Sequence, residues 1–201
     1  MNKKEIAQKV IKDKEGIAKT TDFAAVGIKN YEVAALCKEG YIERIRRGFY
    51  QLPNSNHITE EQLIQELLPQ GIVCVESALF HYGYSDFAPR EWSVAVPRTA
   101  SRSVKKIEEF PIKAYYIQNA FFSIGKCADN FNGVELAVYD RERTICDCFK
   151  YRTKLDHETF NKAVNAYVVD ENKNLANLSK YAKEMKLYTR VMNVMEVLLN
   201  G

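Results

Sequence analysis

No apolar run in this 201-residue chain approaches the ~20 residues a membrane-spanning helix needs, and Met1-Asn2-Lys3-Lys4-Glu5 leads into mixed polar sequence rather than an apolar signal core. Cysteines are few and odd in number: Cys37, Cys74, Cys127, Cys146 and Cys148 make no C-x-x-C pair and no His/Cys cluster at zinc-ligand spacing. There is no glycine-rich phosphate loop, no G-x-S-x-G elbow, and the histidines His57, His81 and His157 stand apart from one another. These absences argue against a membrane partner, a disulfide framework, a metal site and a cofactor. A reduced, cytoplasmic protein with no catalytic residues of its own is expected.

Net charge is also small, with 29 Lys+Arg against 26 Asp+Glu, but it is unevenly spread. Residues 1–57 hold 11 basic and 7 acidic side chains, whereas residues 58–201 hold 18 and 19. The basic excess therefore belongs to the first part of the chain and suggests an anionic partner there.

Along that part, Ile6, Val10 and Ile11 fall about one helical turn apart among lysines, which predicts a first helix ended by Gly16. Thr20 or Thr21 is placed to cap a second short helix through Phe23, Ala24 and Val26, with Gly27 at the turn. A third helix is expected from Asn30 to Lys38, burying Val33, Leu36 and Cys37 and stopping at Gly40. Tyr41 to Ile45 then alternates as a strand, Arg46-Arg47-Gly48 reads as a hairpin turn, and Phe49 to Leu52 is the return strand ended by Pro53. This order is that of a winged helix-turn-helix, and the turn-rich Pro53-Asn54-Ser55-Asn56-His57 is the expected linker.

The remainder mixes helices and strands. A helix should run from the Thr59-x-x-Gln62 capping box to Leu68, followed by a buried strand Ile72-Val73-Cys74-Val75 and a helix from Glu76 to Tyr82 ended by Gly83. Trp92–Val96, Ile112–Ile117 and Val134–Tyr139 are further strands. Asp140 and Asp156 cap two helices, and Leu175–Lys186 and Arg190–Leu199 carry helical apolar spacing. The fold class expected is α+β (mixed α/β): a winged helix-turn-helix over 1–57, then an α/β domain with a helical C-terminus over 58–201.

A duplex major groove admits one α-helix, flanked by phosphates that need cations. Asn30 and Tyr31, at the start of the third helix, are candidates for base edges. Lys29, Lys38, Arg44, Arg46 and Arg47 are candidates for phosphates.

The run Gly16-Ile17-Ala18-Lys19-Thr20-Thr21-Asp22-Phe23, then Gly27-Ile28, then Gly40 to Tyr50 with its Arg-Arg-Gly-Phe-Tyr wing, resembles the N-terminal domain of the AbiEi antitoxins. The resemblance continues in Val73 to Leu79, Trp92 to Pro97 and Val138 to Asp147. It implies the antitoxin of a type IV toxin-antitoxin (abortive-infection, phage-defence) pair. The winged helix would bind inverted-repeat operator DNA and repress its own operon. The C-terminal domain would counteract a nucleotidyltransferase-like toxin. This chain departs from the family in having no arginine at Asn30, Tyr31, Ala34 or Ala35.

In the second region, Arg143, Asp147, Lys150 and Lys154 share a helix face opposite Ile145, Cys148 and Phe149, a spacing that suits either a solvated face or a surface for toxin or nucleic acid. Cys146 is expected to be at most half buried. Arg98, Arg102, Lys105 and Lys106, with intervening hydroxyls and no carboxylate, make a second candidate surface for phosphate or an acidic partner, which Arg143 and Lys150 could extend. A stand-alone winged-helix regulator with a ligand- or partner-sensing C-terminal domain is the alternative reading. A nucleic-acid enzyme is the second, its only nuclease-like triplet being Glu184-Met185-Lys186.

Overall fold

A computed structural model describes residues 2–54, 59–100 and 111–200, which fall into two compact units, Met1–Leu63 and Ile64–Gly201. The chain is α+β. The linker expected at Pro53–His57 lies partly outside the described residues, as do Arg102, Lys105 and Lys106.

The first unit contains α1 (Lys3–Asp13), β1 (Ala18–Lys19), α2 (Thr20–Ala25), α3 (Asn30–Lys38), β2 (Glu43–Arg46) and β3 (Phe49–Gln51). The strands form a sheet in the order β1-β3-β2, antiparallel throughout. The winged helix-turn-helix is therefore present, with one strand more than the sequence pattern shows. β1 has only two residues, too few for a period, and pairs with β3 as Ala18↔Tyr50 and Lys19↔Phe49.

The second helix begins differently from expectation. Lys19, not a threonine, is its N-cap, and the Asp22 carboxylate accepts the Lys19 amide hydrogen bond at 2.7 Å. Its other end is a Schellman turn: Ile28 N–H donates to the Phe23 carbonyl at 2.9 Å and Gly27 N–H to the Ala24 carbonyl at 3.0 Å. Gly27 has φ 81°, a left-handed conformation that costs glycine least. Phe23 and Ile28, the two apolar ends of this motif, both enter the core with Ala7, Ile11, Ala18, Val33, Leu36 and Ile42.

The second unit opens on α4 (Glu60–Leu67), which spans the division between the units; Thr59 and Gln62 make both bonds of the expected capping box. Then come β4 (Ile72–Val73), α5 (Val75–His81), β5 (Trp92–Pro97), a 3₁₀ turn Arg98–Ala100, β6 (Ile112–Ile117), α6 (Asn119–Phe122), β7 (Lys126–Phe131) and β8 (Val134–Tyr139). Four helices finish the chain: α7 (Arg141–Lys150), α8 (His157–Val169), α9 (Leu175–Glu184) and α10 (Tyr188–Asn200).

The five strands make one sheet in the order β6-β5-β4-β8-β7, with β5/β6 and β4/β8 parallel and the other pairs antiparallel. Alternation across the pleat divides the apolar residues between two cores. Ile72, Ala95, Tyr115 and Tyr139 meet the C-terminal helices, whereas Val73, Val94, Val96, Leu136 and Val138 pack with Ile64 and Leu68.

Two expectations here are corrected. The buried strand at Ile72 is two residues long, because Cys74 already caps α5. β7 is a strand that the sequence pattern does not predict: five of its six residues are exposed, so edge pairing with β8 leaves no apolar alternation in its sequence.

Candidate nucleic-acid interface

The residues singled out for DNA sit on the surface of the first unit. Lys29 is the N-cap of α3, and Asn30, Tyr31, Ala34, Ala35 and Lys38 are exposed along one side of that helix, Tyr31 at 69%. Val33 and Leu36 hold the opposite side in the core. The start of the helix is fixed by Glu32, whose Oε2 accepts the Lys29 amide at 2.8 Å.

The two carboxylates of this region are compensated from α1. Lys3 pairs with Glu32 and holds its carboxyl below the usual range, and Lys4 lies 3.4 Å from Glu39 and 3.7 Å from the centre of the Tyr41 ring. Lys29 and Lys38 are thus the charges left at the two ends of the exposed stripe.

The wing is tied to the helices by a backbone bond, Thr20 N–H to the Gly48 carbonyl at 2.9 Å. Pairing of β2 with β3 slips at Ile45: Arg44 is opposite Tyr50, but Arg46 is opposite Phe49. Such a bulge twists a hairpin and re-aims its side chains. Arg44 and Arg47 are exposed on this wing.

The charged helix face expected at Arg143, Asp147, Lys150 and Lys154 is corrected, and Lys154 lies beyond the end of α7. Arg143 and Asp147 are both 0% exposed, as is Cys146, and every residue of α7 from Glu142 to Phe149 is buried. Arg143 therefore belongs to no surface. The helix is surrounded by α5, α8, α9 and α10, which bury it despite its polar sequence.

Some of its polar groups are met by distant partners, whereas Arg143 Nε and Nη2 and both Asp147 oxygens form no hydrogen bond among the described residues. Glu142 Oε1 accepts from Tyr167 O–H at 3.1 Å and from Asn174 N–H at 2.7 Å. Arg143 Nη1 donates to the Phe121 and Ile124 carbonyls at 2.7 and 2.9 Å, and its guanidinium lies 4.0 Å over Tyr139. Arg143 Nε is 3.2 Å from Asp147 Oδ1 but poorly aligned: neither Asp147 oxygen accepts a hydrogen bond among the described residues. Burial pushes the Asp147 carboxyl up, against the pull of Arg143.

Gly125 makes this arrangement possible. Its φ is 69°, its carbonyl accepts the Asp140 amide at 2.7 Å, and an added Cβ would lie 2.4 Å from Arg143 Cβ and 2.8 Å from Asp140 Oδ1. Gly125→Ala is expected to destabilise the chain by roughly 1–3 kcal/mol through overpacking and backbone strain. Urea unfolding followed by the fluorescence of Trp92 measures it, and wild-type stability would show that the loop moves aside freely.

Of the remaining basic candidates, Arg98 is exposed on the 3₁₀ turn, and Lys150 is half-buried with its ammonium pushed below the usual range, first by burial and then by the charges of Arg143 and Arg98. A cluster the sequence did not reveal sits on the sheet. Glu76 accepts from Ser93 Oγ at 2.8 Å, Lys113 Nζ at 2.5 Å and Tyr115 O–H at 2.8 Å; burial would raise its carboxyl, but these donors outweigh it and hold it low. Glu76, on α5, lies 17 to 39 residues from its partners on β5 and β6, so no local spacing could have found it.

His81 pairs with Asp129 at 2.9 Å and stacks on Phe131, while His157 contacts Arg152. Burial pushes the thiols of Cys74, Cys146 and Cys148 up, which makes them poor nucleophiles. Among the described residues no group of three or more His, Cys, Asp or Glu could hold a metal ion, and no helix is long and apolar enough to cross a membrane.

A winged helix-turn-helix with an exposed third helix and an arginine-bearing hairpin is an arrangement that DNA-binding regulators use. Residues 5–53 match the family described as "Transcriptional regulator, AbiEi antitoxin", so the resemblance to AbiEi antitoxins holds over that segment. The fold is similar to the crystal structure of the RV2827C protein from Mycobacterium tuberculosis, at a TM-score of 0.64 and 12% identity over 96% of this chain and 80% of that one. No curated protein sequence matches the chain.

Proposed function

We propose that the protein is the antitoxin of a type IV, AbiE-like pair: its first unit binds inverted-repeat operator DNA and represses its own operon, and its second domain counteracts a nucleotidyltransferase-like toxin. The functional division is placed at residues 57 and 58. One observation carries the reading: the segment that matches the AbiEi regulators presents a solvent-facing recognition helix beside a basic wing. In this reading Asn30 and Tyr31 face base edges, while Lys29, Lys38 and the wing arginines Arg44, Arg46 and Arg47 meet phosphates. Arg98 and Lys150 are the second-domain candidates for an acidic toxin surface.

The full-length Arg44→Ala/Arg47→Ala variant tests the division of labour. It should bind a fragment of its own promoter more weakly than wild type. Two lost phosphate contacts should also make the salt dependence shallower, by about 0.9 in slope for each. The same variant should still rescue growth when co-expressed with the toxin encoded beside it. Unchanged promoter affinity would remove the wing from the interface; failure of the wild-type chain to rescue growth would remove the antitoxin role.

A further inference from the structure

The exposed side of α3 has an unusual composition for a helix that enters a major groove. Asn30 and Tyr31 open it directly after the N-cap Lys29, Ala34 and Ala35 follow a turn later, and Lys38 closes it. Glu32, half-buried and paired with Lys3, is turned to another task.

Groove chemistry makes this composition informative. Guanine offers two acceptors that arginine or lysine reads, cytosine an amino group that a carboxylate reads, adenine a donor and acceptor that asparagine or glutamine reads, and thymine a methyl group that small apolar side chains pack against. Between Lys29 and Lys38 the exposed side supplies an amide, a phenol and two methyl groups, with no cation and no free carboxylate. It carries readers for adenine and thymine and none for guanine or cytosine.

We infer that α3 reads an A·T-rich half-site, with Asn30 hydrogen-bonded to an adenine edge and Ala34 and Ala35 packed against thymine methyl groups. This rests on the DNA-binding reading above and goes further by naming the bases.

The test is selection of duplexes from a randomised pool by the full-length protein. Each thymine of the selected site is then replaced by deoxyuridine, which deletes only the methyl group. An A·T core is expected, with affinity falling about fourfold at each contacted methyl, the equivalent of roughly 0.8 kcal/mol for one buried carbon. Asn30→Ala, at an exposed position, should bind the selected site about tenfold or more weakly and accept other bases where wild type demands adenine. A core of G·C pairs, or indifference to deoxyuridine, would overturn the base assignment while leaving DNA binding intact. Failure to retain any duplex would overturn both.

Discussion

Arg143→Met is expected to lower the unfolding free energy by about 3–5 kcal/mol, the range found when one partner of a buried ion pair is removed. Both Arg143 and Asp147 are wholly buried, so deletion of the guanidinium removes the carboxylate's 3.2 Å partner and leaves Lys150 as its remaining cation. The variant also strands the Phe121 and Ile124 carbonyls, which the same group holds at 2.7 and 2.9 Å. Two unsatisfied acceptors add to the electrostatic cost.

The pair itself is a poor source of stability, because desolvation consumes most of what the attraction returns. Adding Asp147→Leu to Arg143→Met should therefore recover much of the loss, which a double-mutant cycle measures as a large coupling energy. Urea titration with Trp92 fluorescence is a direct readout, since this lone tryptophan lies on β5 of the second unit. A loss below about 1 kcal/mol for Arg143→Met would show that the site admits water.

Phe23→Ala is the second large effect, at about 3–5 kcal/mol, and its consequence is functional. Phe23 is 0% exposed, meets the Tyr50 ring edge-on at 5.5 Å, and anchors the Schellman turn between α2 and α3 through its carbonyl. It sits in a core small enough that little stability is held in reserve, as is usual for a unit of this size. The substitution should abolish promoter binding although Phe23 touches no DNA in the proposed interface. Phe23→Leu, which keeps most of the volume, should retain binding with a loss under about 1.5 kcal/mol. Equal promoter affinity for Phe23→Ala and wild type would show that the turn holds α3 without this ring.

The first unit was legible because its signals are local. Gly27 and Gly40 punctuate helices whose apolar residues recur every three or four positions, and capping acts over fewer than six residues. The N-cap of α2, Lys19, lies one or two residues before the expected Thr20 or Thr21, since an aspartate at the third helical position can hold the amide before the helix without any threonine cap. Exposure of Asn30, Tyr31 and Lys38 followed from the same periodicity, as did the burial of Val33 and Leu36.

The second unit was legible in its inventory and illegible in its centre. Strands at Trp92, Ile112 and Val134 and the caps Asp140 and Asp156 appear where the sequence places them. For α7, the polar residues Glu142, Arg143 and Asp147 look like a solvated face, because periodicity counts polarity and cannot see a partner. The hydrogen-bond partners of Glu142 and Arg143 are Tyr167, Asn174 and the Phe121 and Ile124 carbonyls, all at least 19 residues away. One signal was available: three amphipathic helices follow α7, and their apolar stripes need a common element to cover.

The sequence by itself determined the winged helix, the α+β class and the uneven charge that places the net basic excess in the first part of the chain. Helical periods, turn residues and composition are written in neighbouring positions, so no three-dimensional information was needed. Tertiary structure alone decided which charges remain available to a partner. Lys3 and Lys4 are spent on Glu32 and Glu39, Arg143 is sealed in the core, and Arg44 and Arg47 stay in solvent. A charge acts on its surroundings according to its burial and its neighbours, and both are set by residues distant in the chain.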